Sequence, residues 1–253
     1  MLSAASPAGA ETITLVADEW CPYNCAPGAE KPGFLIEIVQ RVFEPAGFRV
    51  DYKVVPWARA IRDTRAGRSS AILGAIRSEA PDFVYPEGTG FRAGTHAFVA
   101  RGSTWSYGGR GSLDAVTLGV ILDYSYGDDV DAYLEQHRAN ADRVQVSTGE
   151  DALEKNVAKL RQGRISVVLE DPAVMRFFLE RTGQADAVVP AGILEETEVF
   201  IAFGPNEEHA LEHARMLEDG MQKLRASGEL ARILAGYGIT AAPGSRGNAP
   251  SSR

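Results

Sequence analysis

One order of secondary-structure elements occurs twice in this chain, and it restricts the possible folds more than any single motif. In the first half, ETITLVA, FRVDYKVV and SSAILGA have the pattern of strands, while GFLIEIVQRVFEPAG and WARAIRDTRAG have apolar residues at helical spacing. In the second half, AVTLGVILD, RVQVS and RISVVLED predict strands, and DVDAYLEQHR and EDALEKNVAKLRQG predict helices. The repeated β-α-β-α-β order predicts two α/β units with parallel sheets and right-handed crossovers.

Two extended segments are predicted to join these units. Apolar runs near residues 97–102 and 197–203 separate the first unit, the second unit and the C-terminal helices. We therefore expect lobe 1 to contain residues 11–99 and 200–240, and lobe 2 to contain residues 103–196. The final helices follow the return segment, so they should pack on lobe 1.

The composition and the termini indicate an exported globular protein. A hydrophobic content of 45% supplies a core, and no apolar run approaches the roughly 20 residues that span a bilayer. Residues 1–10 end in Ala-Gly-Ala, which fits either the remnant of a secretory signal or a plain disordered leader. Residues 241–253 form a Pro-, Gly- and Ser-rich tail that is predicted to be disordered. A net charge of −8 without a dense basic run argues against a nucleic-acid partner.

Both cysteines of the chain, Cys21 and Cys25, lie in one short loop after the first predicted strand. A disulfide is the favoured interpretation for an oxidising compartment, with a pair of free buried thiols as the alternative. Metal binding is the weakest interpretation, since two sulfurs and four scattered histidines form no complementary ligand set. We expect no metal and no cofactor, and a loop whose tip faces a cleft.

Several segments carry a resemblance to a known family. In chain order they are WCPYN before PGFLIEIV, then VPWARAI, ILGAIRSEAPDFVYPE, GVILDYSYGD and KLRASGELARILAGYG. Together they resemble the bacterial extracytoplasmic solute-binding proteins of family 3, which serve ABC importers of polar amino acids. The resemblance, over about residues 11–240, implies a two-lobed periplasmic-binding-protein-like (type II) α/β fold in which two hinge strands join sheets flanked by helices. It also implies a monomeric periplasmic protein that closes on a small polar solute and delivers it to a membrane permease.

The first lobe offers aromatic side chains for solute contact. Tyr23 and Trp57 have flat faces that could stack on the solute or on a cation, while ordinary core packing is the alternative for each. The resemblance adds Asn24, from the same loop as Tyr23, and Ala75, at the end of a buried strand.

The second lobe offers hydroxyl and acidic groups. Tyr124, Ser125 and Tyr126 follow its first strand, beside a helix N-terminus that suits a solute carboxylate. The resemblance implies that Asp171 pairs with the ammonium group of the solute, and Glu170 takes this role if the strand register shifts by one residue. Asp171 also precedes a proline, as an ordinary helix N-cap does.

One departure from the family pattern concerns the solute carboxylate. Family members often carry a Thr-x-x-Arg segment whose arginine grips the carboxylate in two parallel hydrogen bonds. The corresponding stretch here, RSEAPDF, has no such arginine, which puts an α-amino acid ligand in doubt. Arg77 or Arg59 could substitute, or each could be a solvated surface charge.

Two other functions fit the same scaffold. A dehydratase-like or cell-wall lytic enzyme would need an acid and a base within reach of one substrate atom, and the chain offers Glu37, Glu79, Glu170 and Asp171. A ligand-sensing module of a membrane receptor is the other alternative. The sequence has no G-x-S-x-G, H-E-x-x-H or P-loop motif, which favours binding without chemistry.

Overall fold

The computed structural model describes residues 10–239, and its elements follow the predicted alternation of strands and helices. Residues 1–9 of the predicted leader and all of the predicted C-terminal tail lie outside this range. The strands are β1 (Thr12–Ala17), β2 (Arg49–Val54), β3 (Ala71–Ala75), β4 (Phe91–Ala100), β5 (Leu118–Ile121), β6 (Val144–Ser147), β7 (Val167–Glu170) and β8 (Val188–Phe203). The helices are α1 (Phe34–Phe43), α2 (Trp57–Arg65), α3 (Asp128–His137), α4 (Ala152–Arg161), α5 (Pro172–Arg181), α6 (Ala210–Ala226) and α7 (Glu229–Gly236).

The strands form one sheet in the order β2-β1-β3-β8-β4-β7-β5-β6. Strand β1 pairs in parallel with β2 and β3, and β5 pairs in parallel with β6 and β7. Each half therefore places its second strand at the edge, its first strand next and its third strand beside a long antiparallel strand. We call the half with β1–β3, α1, α2, α6 and α7 lobe 1, and the half with β5–β7 and α3–α5 lobe 2. The repeat seen in the sequence is confirmed as a repeated strand order.

Strands β4 and β8 are the elements that both lobes share. They are antiparallel along the whole of β4, from Phe91 opposite Val199 to Ala100 opposite Val188. The C-terminal end of β8 pairs with β3 in lobe 1, whereas β4 pairs with β7 in lobe 2. The two hinge strands that the sequence predicts are therefore present as one long ribbon.

The connection between the lobes lies at a different position in β4 from the one predicted. Among the described residues, Phe91–Thr95 and Glu195–Val199 pair only with each other, and we call them the connecting segments. Ala97 and Phe98 already pair with β7, so residues 97–100 of the predicted segment lie in the sheet of lobe 2, and residues 101–102 lie in the turn after β4.

The core of lobe 1 depends on α1 and the two C-terminal helices. Leu35, Ile38 and Val39 of α1 are fully buried, as expected for apolar residues at helical spacing. They share one core with Leu217 and Met221 of α6, so the final helices pack on lobe 1 as predicted. Full burial of such a side chain contributes roughly 1.5–3 kcal/mol, so these helices stabilise the lobe substantially.

The cysteine loop caps the N-terminus of α1 with its backbone. No side chain caps this helix, but the N–H groups of Phe34 and Leu35 donate to the carbonyl oxygens of Pro22 and Tyr23, each at 3.0 Å. Gly33 allows this approach because its φ is 113° and a Cβ at this position would lie 2.5 Å from the carbonyl oxygen of Tyr23. The loop and the helix are thus fixed to each other by a glycine.

We expect Gly33→Ala to destabilise the protein more than Gly28→Ala. Gly28 has a φ of 78°, and a methyl group added there would have no atom within 4 Å, so its substitution costs only the left-handed backbone conformation, about 1–2 kcal/mol. The alanine at position 33 adds the clash with the loop, so its loss of unfolding free energy should exceed that of the control. Urea unfolding of both variants measures the difference. Equal losses would contradict the close approach.

Candidate functional site

A cavity of about 100 Å³ lies between the lobes beside the connecting segments, and we call it the hinge cavity. Lobe 1 lines it with Asp18 after β1 and with Gly74 in β3, and lobe 2 lines it with Tyr124 after β5 and with Glu170 at the end of β7. Thr95 belongs to a connecting segment and also lines it. The carboxyl ends of the parallel strands of both lobes therefore meet at this cavity, as in other open α/β sheets.

The cysteine loop presents a tryptophan to the cavity and buries its tyrosine. Cys21 and Cys25 form the predicted disulfide. The Trp20 ring lines the cavity and stacks on Tyr23 with ring centroids 4.0 Å apart. Tyr23 is 2% exposed and does not line the cavity, and Asn24 donates to the backbone oxygen of Asp18 from a buried position. The loop thus reaches the cleft through Trp20, whereas Tyr23 and Asn24 are buried behind it.

Asp171 is both a helix cap and the centre of a buried hydrogen-bond network. Its Oδ1 accepts from the backbone N–H groups of Ala173 and Val174, at 2.8 and 3.2 Å, which confirms the predicted N-cap of α5. Its Oδ2 accepts from the N–H of Gly94 at 3.1 Å and from the hydroxyl of Tyr23 at 3.2 Å. Burial raises the pKa of this carboxyl, while the backbone hydrogen bonds oppose the shift. Asp171 lines the cavity, yet its acceptor positions are already used.

Glu170 differs from Asp171 because only one of its two carboxyl oxygens is hydrogen-bonded. It is 4% exposed, and its Oε1 accepts from the Trp20 indole N–H at 3.2 Å and from the backbone N–H of Asp171 at 2.8 Å. Its Oε2 accepts no hydrogen bond from any described residue. Burial is the main cause that raises the pKa of Glu170 to about 8, and the carboxyls of Asp171 and Asp18 add to it. This buried side chain therefore presents one carboxyl oxygen at the cavity that has no hydrogen-bond partner among the described residues.

Three further carboxyls line the hinge cavity. Asp18 accepts from the Tyr124 hydroxyl at 2.6 Å, and burial raises the pKa of Asp18. Burial also raises the pKa of Glu79 to about 7, partly opposed by contact with the Trp57 side chain. Glu195 lies at the edge of the cavity, where partial burial and the acidic start of α3 raise its pKa.

Five of the predicted site residues line the hinge cavity. They are Trp57, Tyr124, Ser125, Tyr126 and Asp171. Ser125 Oγ and the N–H of Tyr126 are occupied, since they donate to the two carboxylate oxygens of Asp131 at 2.6 and 2.8 Å.

The predicted cationic contacts are not in the cavity. The Arg77 guanidinium stacks on Tyr85 and Phe200, at 4.6 and 4.8 Å from the ring centroids. Arg59 is exposed and pairs with Asp63 at 3.2 Å. Ala75 is buried, and its neighbours Gly74 and Ile76 line the cavity instead. Neither Arg59 nor Arg77 lines the hinge cavity.

Sequence reasoning missed Asp18, Trp20 and Glu195 as lining residues. Asp18 directly follows β1, the position that points to a cleft in a parallel sheet, so a signal for it was present. Trp20 directly precedes Cys21, so its place beside the disulfide was the signal available for it. Glu195 is in β8, and no local pattern shows which residue of a 16-residue strand crosses between lobes.

A second cavity of about 350 Å³, which we call the loop cavity, lies next to the first. Asp18, Trp20, Trp57, Tyr124 and Glu170 line both cavities, so the two share one wall. The remaining lining comes mainly from the loops after β2, β5 and β6, and it includes the acidic residues Glu19, Asp123 and Glu150.

In the range 10–239, no helix has the length and apolar content to cross a membrane. Within the same residues, no group of three His, Cys, Asp or Glu side chains is placed to hold a metal ion.

We expect Asp171→Asn to lose stability and Glu170→Gln to retain it. Asn keeps one acceptor for the helix cap but turns an NH₂ group toward the N–H of Gly94, and a buried N–H without an acceptor costs about 1–3 kcal/mol. Gln keeps the acceptor that Glu170 uses and changes only the free oxygen. Chemical unfolding at pH 6 compares the two variants. A fully stable Asp171→Asn protein would contradict the four-bond network.

The stability contributed by Glu170 should fall as the pH rises. Its pKa is about 8 in the folded protein and ~4.3 in an unfolded chain, so the folded state binds more protons between these values. The contribution is fully present below pH ~4.3 and is lost as the pH rises through about 8. Unfolding of the wild type and of Glu170→Gln from pH 5 to 9 isolates this group. A constant difference between the two proteins would contradict the raised pKa.

Known structures share this fold, although no sequence-family model and no curated protein matches the chain. A histidine kinase sensor domain with similarity to periplasmic binding proteins has 17% identity and a TM-score of 0.72, covering 92% of this chain and 99% of its own. A protein from work on glutathione import via GshT and the cystine ABC importer TcyBC of Streptococcus mutans has 14% identity and a TM-score of 0.74, covering 92% and 98%. A substrate-binding protein of a Streptococcus pneumoniae ABC uptake transporter, with bound histidine, has 18% identity and a TM-score of 0.72, covering 92% and 94%. The chain therefore has the two-lobed fold of the periplasmic binding proteins, as its sequence motifs predict.

Proposed function

We propose that this protein is an extracytoplasmic solute-binding protein of the family 3 type that captures a small polar solute between its lobes. It then delivers the solute to the membrane permease of an ABC importer. The single observation that carries the proposal is the hinge cavity, because residues of both lobes line it and the lobes are joined beside it by two short connecting segments. A solute in this cavity touches both lobes only when they are closed, so it stabilises the closed state.

Direct contacts between the lobes support a closing motion. The Tyr124 hydroxyl of lobe 2 donates to Asp18 of lobe 1, and the Trp20 indole of lobe 1 donates to Glu170 of lobe 2. Both hydrogen bonds lie at the cavity wall, where opening of the cleft would expose their groups to water. Closure thus exchanges water contacts for a small number of hydrogen bonds, each of net ~0.5–1.5 kcal/mol, and a bound solute adds its own contacts to the closed state.

The disulfide supports an exported location. The Cys21–Cys25 pair closes the loop that presents Trp20, and such bonds persist in oxidising compartments such as the periplasm. We propose that the protein acts there as a monomer, since each chain contains both halves of the cavity.

The similarity to a histidine kinase sensor domain favours a second candidate, the ligand-sensing module of a membrane receptor. Capture by closure is the same in both roles, and only the partner differs. Solute uptake by cells that lack the gene separates them, because loss of uptake supports the importer and retained uptake supports the sensor.

The enzyme alternative has one supporting observation. Glu79 and Glu170, with pKa values of about 7 and about 8, line the same cavity and could act as an acid and a base near neutral pH. Native mass spectrometry of the purified protein should identify a solute that co-purifies unchanged. Conversion of that solute by the protein, followed by NMR, would favour the enzyme over the receptor.

Solute binding should compact the protein. Small-angle X-ray scattering is expected to give a smaller radius of gyration with the identified solute than without it, because the lobes close around the cavity. Tyr124→Phe should enlarge the radius without solute, since it removes the hydroxyl that bonds Asp18.

Tyr107→Phe is the matched control, because the Tyr107 hydroxyl makes no hydrogen bond with the described residues. It should leave both radii unchanged. Tight binding of the solute without compaction in the wild type would contradict capture between the lobes.

A further inference from the structure

The two cavities between the lobes are lined by acids and by no base. Among their lining residues there is no lysine, arginine or histidine. The carboxyl side chains that line one or both of them are Asp18, Glu19, Glu79, Asp123, Glu150, Glu170, Asp171 and Glu195. Like charges placed together in a closing cleft repel, so a ligand that brings positive charge is strongly favoured over one that brings a carboxylate.

Two groups of polar donors that could bind a carboxylate are occupied by the protein. At the N-terminus of α5, the N–H groups of Ala173 and Val174 donate to Asp171. In the loop before α3, the hydroxyl of Ser125 and the N–H of Tyr126 donate to Asp131. The helix N-terminus predicted to receive a solute carboxylate therefore has a carboxylate of the chain beside it.

The cavity wall holds, next to aromatic faces, a carboxyl oxygen without a hydrogen-bond partner among the described residues. Glu170 is 96% buried, since its exposed fraction is 4%, and its Oε2 accepts no hydrogen bond from the described residues. Trp20, Trp57 and Tyr124 line the wall that both cavities share. Aromatic faces attract ammonium and guanidinium groups, most strongly where water is excluded.

We propose that the solute is an organic dication without a carboxylate, with an ammonium or guanidinium group at each end. The two cavities share one wall, and each adds its own acids, Glu79 and Glu195 in the hinge cavity and Glu19 and Glu150 in the loop cavity. One cationic end of the solute lies in each cavity, and the hydrocarbon part of the solute between them passes over Trp20. This substrate class rests on the proposed capture between the lobes.

Decarboxylated amino acids provide matched probes. Cadaverine is lysine without its carboxylate, and agmatine is arginine without its carboxylate. By isothermal titration calorimetry, cadaverine and agmatine should bind at least tenfold more tightly than lysine and arginine. Pentylamine has the length of cadaverine but a single charge, and it should bind at least tenfold more weakly than cadaverine.

Substitutions locate the two ends. Glu79→Gln in the hinge cavity should weaken cadaverine binding at least fivefold. The double substitution Glu19→Gln/Glu150→Gln in the loop cavity should weaken cadaverine by a similar factor and weaken pentylamine less, since pentylamine lacks the second ammonium. Glu208→Gln, an exposed residue that lines neither cavity, should change neither affinity.

The results separate the substrate class from the proposed function. If lysine or arginine binds as tightly as its decarboxylated partner, or if no probe binds, the proposed ligand class is wrong. An affinity for pentylamine equal to that for cadaverine would likewise contradict the proposal that the ligand carries two positive charges. Compaction in X-ray scattering with a non-cationic co-purified solute would leave capture between the lobes intact. A dication that binds as described without compaction would overturn that capture and retain the ligand class.

Discussion

The antiparallel pairing of β4 with β8 is the interaction on which the rest of the structure depends. Strand β8 pairs with β3 of lobe 1, strand β4 pairs with β7 of lobe 2, and β4 and β8 pair with each other, so the two strands join the lobes into one sheet. The parallel strands of each lobe lie on either side of this pair, and their carboxyl ends face the same gap. This arrangement brings the strand-end residues of the lining together, including Asp18 after β1 and Glu170 at the end of β7.

The carboxyl groups at the gap fall into two groups, those that accept hydrogen bonds from the backbone and those that are buried without a basic partner. Asp171 and Asp131 satisfy N–H groups near the starts of two helices, so these acids stabilise the fold. Glu170 and Glu79 have pKa values raised by burial and face no basic side chain of the cavity lining. A carboxyl in such a place costs folding free energy at high pH, which is typical of a site whose missing partner arrives with the ligand.

The sequence was sufficient to predict the two-lobed fold, because strand and helix periodicity is local and the order of elements repeats. It also predicted the disulfide and the cap at Asp171, which depend on residues close together in the chain. It misplaced Tyr23, since the choice between Tyr23 and Trp20 depends on how the loop packs against Gly33 and α1. The position of Arg77 could not be read from local sequence either, because one of the two rings it stacks on, Phe200, comes from β8.

The pairing of Ala100 with Val188 has a consequence for how such proteins diversify. These two residues face each other at one end of the shared ribbon, and the intervening 87 residues, numbers 101–187, include all of β5–β7 and α3–α5. Chain segments whose ends are adjacent can be exchanged as a unit without rebuilding their host. Recombination at these two neighbouring points could therefore replace lobe 2 as one unit, and with it half of the cavity lining, while lobe 1 and its disulfide loop are inherited unchanged.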